Sequence, residues 1–470
     1  MEQERYLRFT LLDKDGDWLG RVGDYDYLTV TERWLAQGTG EISVSASHPK
    51  LPQMIAAGAR YTVDLVEPLE VGETTVQVSR GSLRNPVGAF VPGGAVRFQL
   101  QDDWRVLQNI LMRVRPGEPL EAISLTDPAQ SNEATPPPAA GTDTGRTGYW
   151  MYGGSGSVAA EDAVTAILDI HLLQRWFAEF GFYRFALPPS EGRGPDVRDL
   201  IEQFRFCTIA EAVAPLLEYA DLGLMFNQFA VAGDTPAQEY VVIWEPITWP
   251  ITLTPDSGTV VGGEWSLSSP TATDAVVGGP GELASRAFTG LVDTGLRDEY
   301  SDLIEVFRNA TGAPLEWPTT LAEQYRVAKY FMLLGPADGV TPEQQAAFAR
   351  FMATAADDVL AEGAPTSGVS IELQESVGFR FSGIPVAAGT LQPRTGGFAT
   401  GDYITAAPSR QTNLPGLTFT ARITETTLTQ SDNGLTITPQ VGKRIGDPDQ
   451  LMAETVRAIA DSNRRQAAAQ

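Results

Sequence analysis

Between residues 5 and 115 the chain repeats one pattern. Short runs of alternating apolar and polar residues recur about every ten to fifteen positions, with turn signals between them. Successive side chains of an extended backbone point to opposite faces, so each run reads as a half-buried β-strand. Tyr6 to Leu12 is the first, and Asp15-Gly16 is a hairpin signal that returns the chain through Trp18 to Val22. Tyr25 to Leu35 follows, broken by Gly38-Thr39-Gly40. Ile42, Val44 and Ala46 alternate with Ser43, Ser45 and Ser47. Leu51 to Ala57 reads as a short helix, after which Tyr61, Val63 and Leu65, then Val76 and Val78, then Val96, Phe98 and Leu100 resume the alternation. Strands at this spacing favour a sandwich or small barrel.

The pattern then changes. Residues 116–157 mix six prolines with Gly, Ser, Thr and Ala, the composition of a linker or extended insertion. Val164, Ile167, Leu168, His171, Leu172, Arg175, Trp176 and Glu179 fall at helical spacing, opened by Glu161-Asp162 where the helix dipole favours acids. Thr208 with Glu211 three positions on is a capping box. Val213, Leu216, Leu217, Ala220 and Leu224 form the apolar face of the helix it opens, and Pro215 is a point where that helix can kink. Strand formers return at Tyr240–Trp244, Trp249–Leu253 and Thr259–Trp265. Thr341-Pro342 opens another helix, with Phe348, Phe351 and Met352 on one face. Leu417–Leu428 and Leu435–Pro439 flank Asp432-Asn433-Gly434 as a hairpin. After Gly446-Asp447-Pro448 a polar helix is expected, with Leu451, Met452, Val456 and Ile459 as a thin apolar stripe.

The expected fold is α+β and β-rich, with helical segments and a C-terminal helix. The expected organisation is an N-terminal β domain over 1–115 and a Pro/Gly-rich linker or insertion over 116–157. A mixed middle region follows over 158–368, with helices about 161–180, 208–224 and 341–361. A C-terminal β segment over 369–445 and a helix over 446–470 complete it.

Charge narrows the function. There are 34 Lys and Arg against 59 Asp and Glu, a formal net of -25. Gripping nucleic acid requires cations against phosphates, and no basic run exceeds a pair such as Arg464-Arg465. An acidic surface repels DNA and keeps a protein dispersed. A single cysteine, Cys207, cannot form an intramolecular disulfide, and its apolar surroundings from Phe204 to Ile209 read as core. The polar start Met1-Glu2-Gln3-Glu4-Arg5 has no secretory character, and no run approaches the ~20 apolar residues of a membrane helix.

Chemistry-bearing motifs are sparse. The two histidines, His48 and His171, have no companion ligands at zinc-site spacing. His48, before Pro49, reads as a loop residue, and His171 as part of a helix. Gly154-Ser155-Gly156-Ser157 lacks the strand a nucleophile elbow needs, and Gly278-Gly279-Pro280-Gly281 lacks the Lys-Ser/Thr of a phosphate loop. The carboxylate pairs Asp102-Asp103, Glu161-Asp162, Asp298-Glu299 and Asp357-Asp358 carry no glycosidase context, and the first two read as helix starts. Asp13-Lys14-Asp15-Gly16-Asp17 lacks the closing Glu of a calcium loop, since Asp24 stands there. No catalytic, cofactor-binding or metal-ligating residue is singled out, and no cofactor is expected. Trp150, Trp244, Trp249, Trp265 and Trp317 read as core or interface anchors.

The order of motifs resembles the Gp37-like minor tail proteins of long-tailed actinobacterial phages. The strand–Asp-Gly–strand opening from Leu11 to Val22 and RWLAQGTGEISVSASHPK (Arg33 to Lys50) are similar to that family's start. VVGGPGELASRAF (Val276 to Phe288) resembles its central glycine-rich signature, with Arg286 at the closing arginine and Asp274 near where Asn is usual. EYSDLIEVFRNA (Glu299 to Ala310), GFATGDYITAA (Gly397 to Ala407) and ARITETTLTQSDNGLTITPQVG (Ala421 to Gly442) follow in the family's order. The resemblance implies two small β-barrel or β-sandwich hub-type domains that continue a tail tube as a homotrimer, at the distal end of the virion tail. It implies partners among the distal tail, tail tube, tape-measure and other minor tail or receptor-binding proteins, with phage DNA met only in transit during genome ejection. Two alternatives stand beside it. One is a receptor- or carbohydrate-binding tail protein, for which Tyr149-Trp150-Met151-Tyr152 is the aromatic candidate. The other is a virion-associated cell-wall hydrolase.

Overall fold

The computed structural model describes residues 4–69, 72–88, 93–113, 157–180, 184–197, 207–229, 238–267, 269–279, 288–310, 342–365, 367–376, 378–387, 390–394, 396–407 and 418–442. The expected linker (except Ser157), Gly154 to Gly156, the Tyr149–Tyr152 cluster, Thr341 and the C-terminal helix lie outside them, as do Pro280 and Gly281. The chain divides into two compact units, residues 1–263 with 370–443 and residues 264–369 with 444–470.

The first unit begins with β1 (Tyr6–Leu12), β2 (Trp18–Val22), β3 (Tyr25–Arg33) and β4 (Thr39–Ser45). A short helix α1 (Leu51–Ile55) leads to β5 (Arg60–Pro68), β6 (Glu73–Gly88) and β7 (Ala95–Asp102), then to α2 (Trp104–Asn109). Helix α3 (Ala160–Leu168) runs through a π-helical segment, Asp169–Gln174, into α4 (Arg175–Phe180). Next come β8 (Phe185–Ala186), α5 (Ile209–Tyr219), β9 (Gly223–Phe229), β10 (Gln238–Trp244), β11 (Thr248–Leu253) and β12 (Val260–Leu267). The second unit holds β13 (Asp274–Gly278), β14 (Phe288–Val292), α6 (Thr294–Tyr300), β15 (Glu305–Asn309) and α7 (Pro342–Gly363). The chain returns as β16 (Ser367–Leu373), β17 (Val386–Ala387), β18 (Thr390–Leu391), β19 (Tyr403–Ala406), β20 (Phe419–Ser431) and β21 (Gly434–Val441).

The β-rich α+β character read from the sequence is what the structure has. Its main sheet runs β12-β16-β21-β20-β3-β4-β7-β6-β5-β1-β2, with β19 joining β20 and β11 joining β19. The N-terminal strands and the C-terminal hairpin are thus one sheet, stitched where β20 pairs antiparallel with β3 over Ser431↔Tyr27 to Glu425↔Arg33. The sheet folds back on itself. β1 and β3 are separated by four strands along the path, yet the Tyr25 hydroxyl donates to Leu7 O at 2.8 Å and Leu7 N donates to Gln430 Oε1 at 3.2 Å. Side chains bridge this gap with no strand ladder, and among the described residues no closed barrel forms. Inside the fold lie Phe9 stacked on Tyr61, with Leu28, Val30, Ile42, Val63 and Phe98 fully buried. Burying such side chains contributes roughly 1.5–3 kcal/mol each, so this interior holds the sheet in shape.

A second core in the same unit lies among α2, α3, α5 and the small sheet β8-β10-β9. Ala163, Val164, Ile167 and Leu168 of α3 meet Ile209, Val213 and Leu217 of α5 there. Thr208 opens α5 with a complete capping box, accepting from Glu211 N at 3.1 Å while Glu211 Oε2 accepts from Thr208 N at 2.8 Å. Pro215 stays within α5 and faces solvent, where the hydrogen bond it removes is least damaging. In the second unit, α7 lays Met352, Ala356 and Val359 on Ala275 and Val277 of the sheet β14-β13-β15.

Candidate functional site

The most built arrangement of charge is in the first unit, where the main sheet meets the second core. Arg60 of β5 and Arg80 of β6 project from neighbouring strands, with Thr62 opposite Arg80 and Ser82 opposite Arg60. Asp103 follows β7, and Glu239 lies on β10. Arg60 Nη2 donates to Asp103 Oδ1 and Oδ2 at 3.0 and 2.8 Å and to Glu239 Oε1 at 3.0 Å. Arg80 Nε donates to Asp103 Oδ2 at 2.7 Å, and its Nη2 lies 2.6 Å from Glu239 Oε1. Arg184 closes the group, with Nε 3.2 Å from Glu239 Oε2 and its guanidinium 4.9 Å over the rings of both Trp176 and Phe185. All but Arg184 are almost wholly buried. Burial alone would raise the Asp103 carboxyl, but Arg60, Arg80 and Arg184 hold it down at about 2. Such a knot fixes two layers in one register, because each charge is tolerable in the interior only while its partners stay in place.

Next to the knot is a cavity of about 110 Å³, whose lining includes Glu32, Arg80, Asp102, Trp104, Trp244 and Thr400. Asp102 accepts from Gly38 N at 2.7 Å. Burial pushes its carboxyl well above the ordinary range, and the Asp103 and Glu32 carboxylates add to the rise. Glu32 accepts from the Thr400 hydroxyl at 2.9 Å, and burial lifts it to about 7 against that bond's opposing pull. Acids raised in a cavity are the groups expected of an acid–base catalyst. The space is well below the roughly 300–1,000 Å³ of small-molecule pockets.

The 396–402 loop forms one wall. Asp402 is fully buried and takes Arg394 Nη1 on both oxygens at 2.7 Å, Ala399 N on Oδ2 at 2.8 Å and Ile247 N on Oδ1 at 3.0 Å. Gly401, at φ +104°, lies so close to Trp34 that an added Cβ would stand 2.3 Å from the ring. Trp34 meets Trp244 edge-on at 5.6 Å, and the Arg422 guanidinium lies 4.1 Å over Trp34 and 4.5 Å over Tyr403. Asp221 pairs with Arg422 at 2.6 Å. The Gly-Asp-Tyr of the GFATGDYITAA stretch is therefore a structural corner: glycine for the approach to Trp34, aspartate as the anchor and tyrosine as the platform.

A second cavity, of about 290 Å³, is lined by Glu161, Pro188, Pro189, Arg193, Val242 and Leu391 among others. Its charged floor is internally matched, with Arg193 Nη2 2.7 Å from Glu161 Oε1, and Ser190 Oγ donates to Asp162 Oδ1 at 2.6 Å.

The residues singled out in the sequence do not converge. His48 Nδ1 accepts from Lys50 N at 3.2 Å and Nε2 lies 3.0 Å from Gly23 O, which ties a loop. His171 is fully buried in the π-helical segment, where burial and Arg175 push it down to about 3. Cys207 is half-buried against the helical core, and its carbonyl accepts from Met112 N at 2.7 Å. Asp103 occupies the N-cap position of α2 with its side chain turned to the arginines and no cap bond, and Glu161-Asp162 lie in the first turn of α3. Asp298-Glu299 and Asp357-Asp358 are exposed on helices of the second unit. Asp13 Oδ1 accepts from Asp15 N and Asp17 N at 2.9 and 2.8 Å, a side-chain-closed turn. Gly278 ends β13. Among the described residues no cluster of three or more His, Cys, Asp or Glu is placed to hold a metal, and no helix is long and apolar enough to cross a membrane. Sequence reading missed Arg60, Arg80, Arg184, Glu239, Glu32 and Thr400. Arginines on strand positions next to buried neighbours were the available signal.

The profile of the siphovirus ReqiPepy6 Gp37-like protein family matches residues 132–443. No match is found among curated proteins. Among solved structures, the chain is similar to the 43 kDa tail protein of prophage MuSo2 from Shewanella oneidensis, at 10% identity over 93% of this chain and 98% of that one, with a TM-score of 0.44. It is similar to prophage tail protein gp18 from Listeria monocytogenes EGD-e, at 8% identity over 96% and 99% of the two chains, with a TM-score of 0.44. It is also similar to the tail protein from Neisseria meningitidis MC58, at 8% identity over 94% and 97%, with a TM-score of 0.40.

Proposed function

The chain belongs to the siphovirus ReqiPepy6 Gp37-like protein family, and from that membership we propose that it is a structural protein of the phage tail, a baseplate-hub component at the distal tip. In this reading it assembles as a homotrimer beneath the tail tube and lines part of the channel through which the genome leaves. Its neighbours are the distal tail, tape-measure and other minor tail proteins.

The family match over residues 132–443 carries the proposal. Two further observations support it. The N-terminal strands and the C-terminal hairpin share one sheet where β20 pairs with β3, an interlocked arrangement suited to a load-bearing wall. The net charge of -25 per chain suits a passage that DNA must traverse without adhering. A threefold ring uses head-to-tail interfaces, so each copy presents two different complementary surfaces.

A non-enzymatic role fits the sites. The buried acids Asp103 and Glu239 are bound by arginines, and the raised acids Glu32 and Asp102 line a cavity of about 110 Å³, below the roughly 300–1,000 Å³ of small-molecule pockets. Immunogold labelling of intact particles with an antibody to this chain tests the placement. Label at the tail tip is expected, and label on the capsid, or none, contradicts it.

A further inference from the structure

Glu32 on β3 stands directly opposite Thr426 on β20, and Thr400 reaches between them from the 396–402 loop. The Thr400 hydroxyl oxygen lies 2.9 Å from Glu32 Oε2 and 2.8 Å from Thr426 Oγ1. Thr426 is fully buried and Thr400 nearly so. A hydroxyl has one hydrogen and can donate in only one of these directions. With Glu32 ionised, Thr400 donates to the carboxylate and Thr426 must donate to Thr400. With Glu32 protonated, the carboxyl donates to Thr400, which then donates to Thr426.

The charge around Glu32 makes the two states unequal. On its own strand, the neighbouring Arg33 is held by Glu425 of β20 at 2.6 Å. Arg80 of β6 is held by Asp103 and Glu239, Arg394 beside the loop by Asp402, and Arg422 of β20 by Asp221. Asp102, at the end of β7, also lines the cavity, and burial holds its own carboxyl well above the ordinary range, so it offers Glu32 no counter-charge. Each of these cations is thus committed elsewhere, and among the described residues one hydroxyl, that of Thr400, donates to an ionised Glu32.

We propose that Glu32, Thr400 and Thr426 form a proton-operated latch, whose hydrogen-bonded chain reverses when Glu32 gains or loses its proton and whose grip on the Ala399–Asp402 loop changes with it. Protonated, the chain is neutral and the loop is held against β3 and β20. Ionised, the carboxylate draws water into the cavity and the loop loosens. Glu32 is half-buried at the cavity, and the loss of solvation there places the change near neutrality, at about 7.

Hydrogen exchange at the loop amides tests this in the full-length protein. Ala399 N donates to Asp402 Oδ2, and Gly401 N donates to Ile423 O. After correction for intrinsic exchange chemistry, protection at these amides is expected to fall with rising pH, approaching about tenfold per pH unit below the Glu32 midpoint. Ile437, in the β20–β21 hairpin, reports any global effect. Glu32→Gln is expected to abolish the pH dependence. Thr400→Val, which removes the hydroxyl that supports the ionised form, is expected to move the midpoint upward. Flat protection in the wild-type protein overturns the proposal even if neither variant folds. So does pH dependence that persists in Glu32→Gln, or an unmoved midpoint in Thr400→Val.

Discussion

Arg60 and Asp103, 43 positions apart in the chain, meet through a single guanidinium nitrogen that donates to both carboxylate oxygens, at 3.0 and 2.8 Å. Both are buried, and Asp103 also holds Arg80. Asp103→Ala leaves the buried Arg60 and Arg80 guanidiniums to share Glu239, and breaking such a buried pairing costs about 3–5 kcal/mol. The half-exposed pair Arg33–Glu425 is the comparison, because Glu425→Ala is expected to cost about 0–1 kcal/mol. Chemical denaturation of both variants checks the ratio. Equal losses would mean the knot does not hold the two layers.

Acid should weaken the first unit through two groups. Asp103 is held at about 2 in the fold, below its value in an unfolded chain. Its contribution is present above about pH 4 and is lost as pH falls through about 2. His171 is held at about 3, below an unfolded value of about 6.5, so the unfolded chain binds its proton first and stability falls as pH drops from about 6.5 toward 3. The imidazole resonances of His171 are therefore expected not to titrate between about pH 5 and 8. A midpoint near 6.5 in the folded protein would contradict its burial.

Glu32 acts in the opposite sense. Its folded value of about 7 exceeds the unfolded one, so its contribution is fully present below about pH 4.5 and is lost as pH rises through 7. Glu32→Gln is expected to flatten this loss and leave the variant more stable than the parent at about pH 8. Thermal melts across that range decide it, and a variant less stable at every pH would show that the carboxylate is a net support.

Gly401→Ala places a methyl against the Trp34 ring at a backbone angle of φ +104°. Strain and overpacking together should cost upwards of about 2 kcal/mol. Loss of the edge-on Trp34–Trp244 contact should appear in near-ultraviolet circular dichroism. An unchanged spectrum with unchanged stability would mean the loop can move aside.

Legibility in the sequence followed range. Tyr6–Leu12 and Trp18–Val22 are legible from alternation around Asp15-Gly16, and both strands stand at those bounds, joined by the five residues Asp13–Asp17 that the Asp13 carboxylate closes into a turn. The capping box at Thr208 and Glu211 was legible for the same reason, its partners lying three residues apart. The pairing of Thr426 with Glu32 was not, because nothing local records which distant strand a strand will join. The arginine knot joins residues from Arg60 to Glu239, and Asp102-Asp103 gave no hint that one carboxylate would enter the knot and the other a cavity. The π-helical segment around His171 also escaped, since its apolar positions satisfy ordinary helical spacing.

The central claim is that this chain is a hub component of the tail tip, and a cryo-electron-microscopy map of intact particles tests it most directly. The chain is expected to trace into a threefold ring at the distal tail, on the axis below the tube, with the sheet through β3 and β20 in its wall. A map that places the chain off the axis, or a particle that lacks it, would contradict the account.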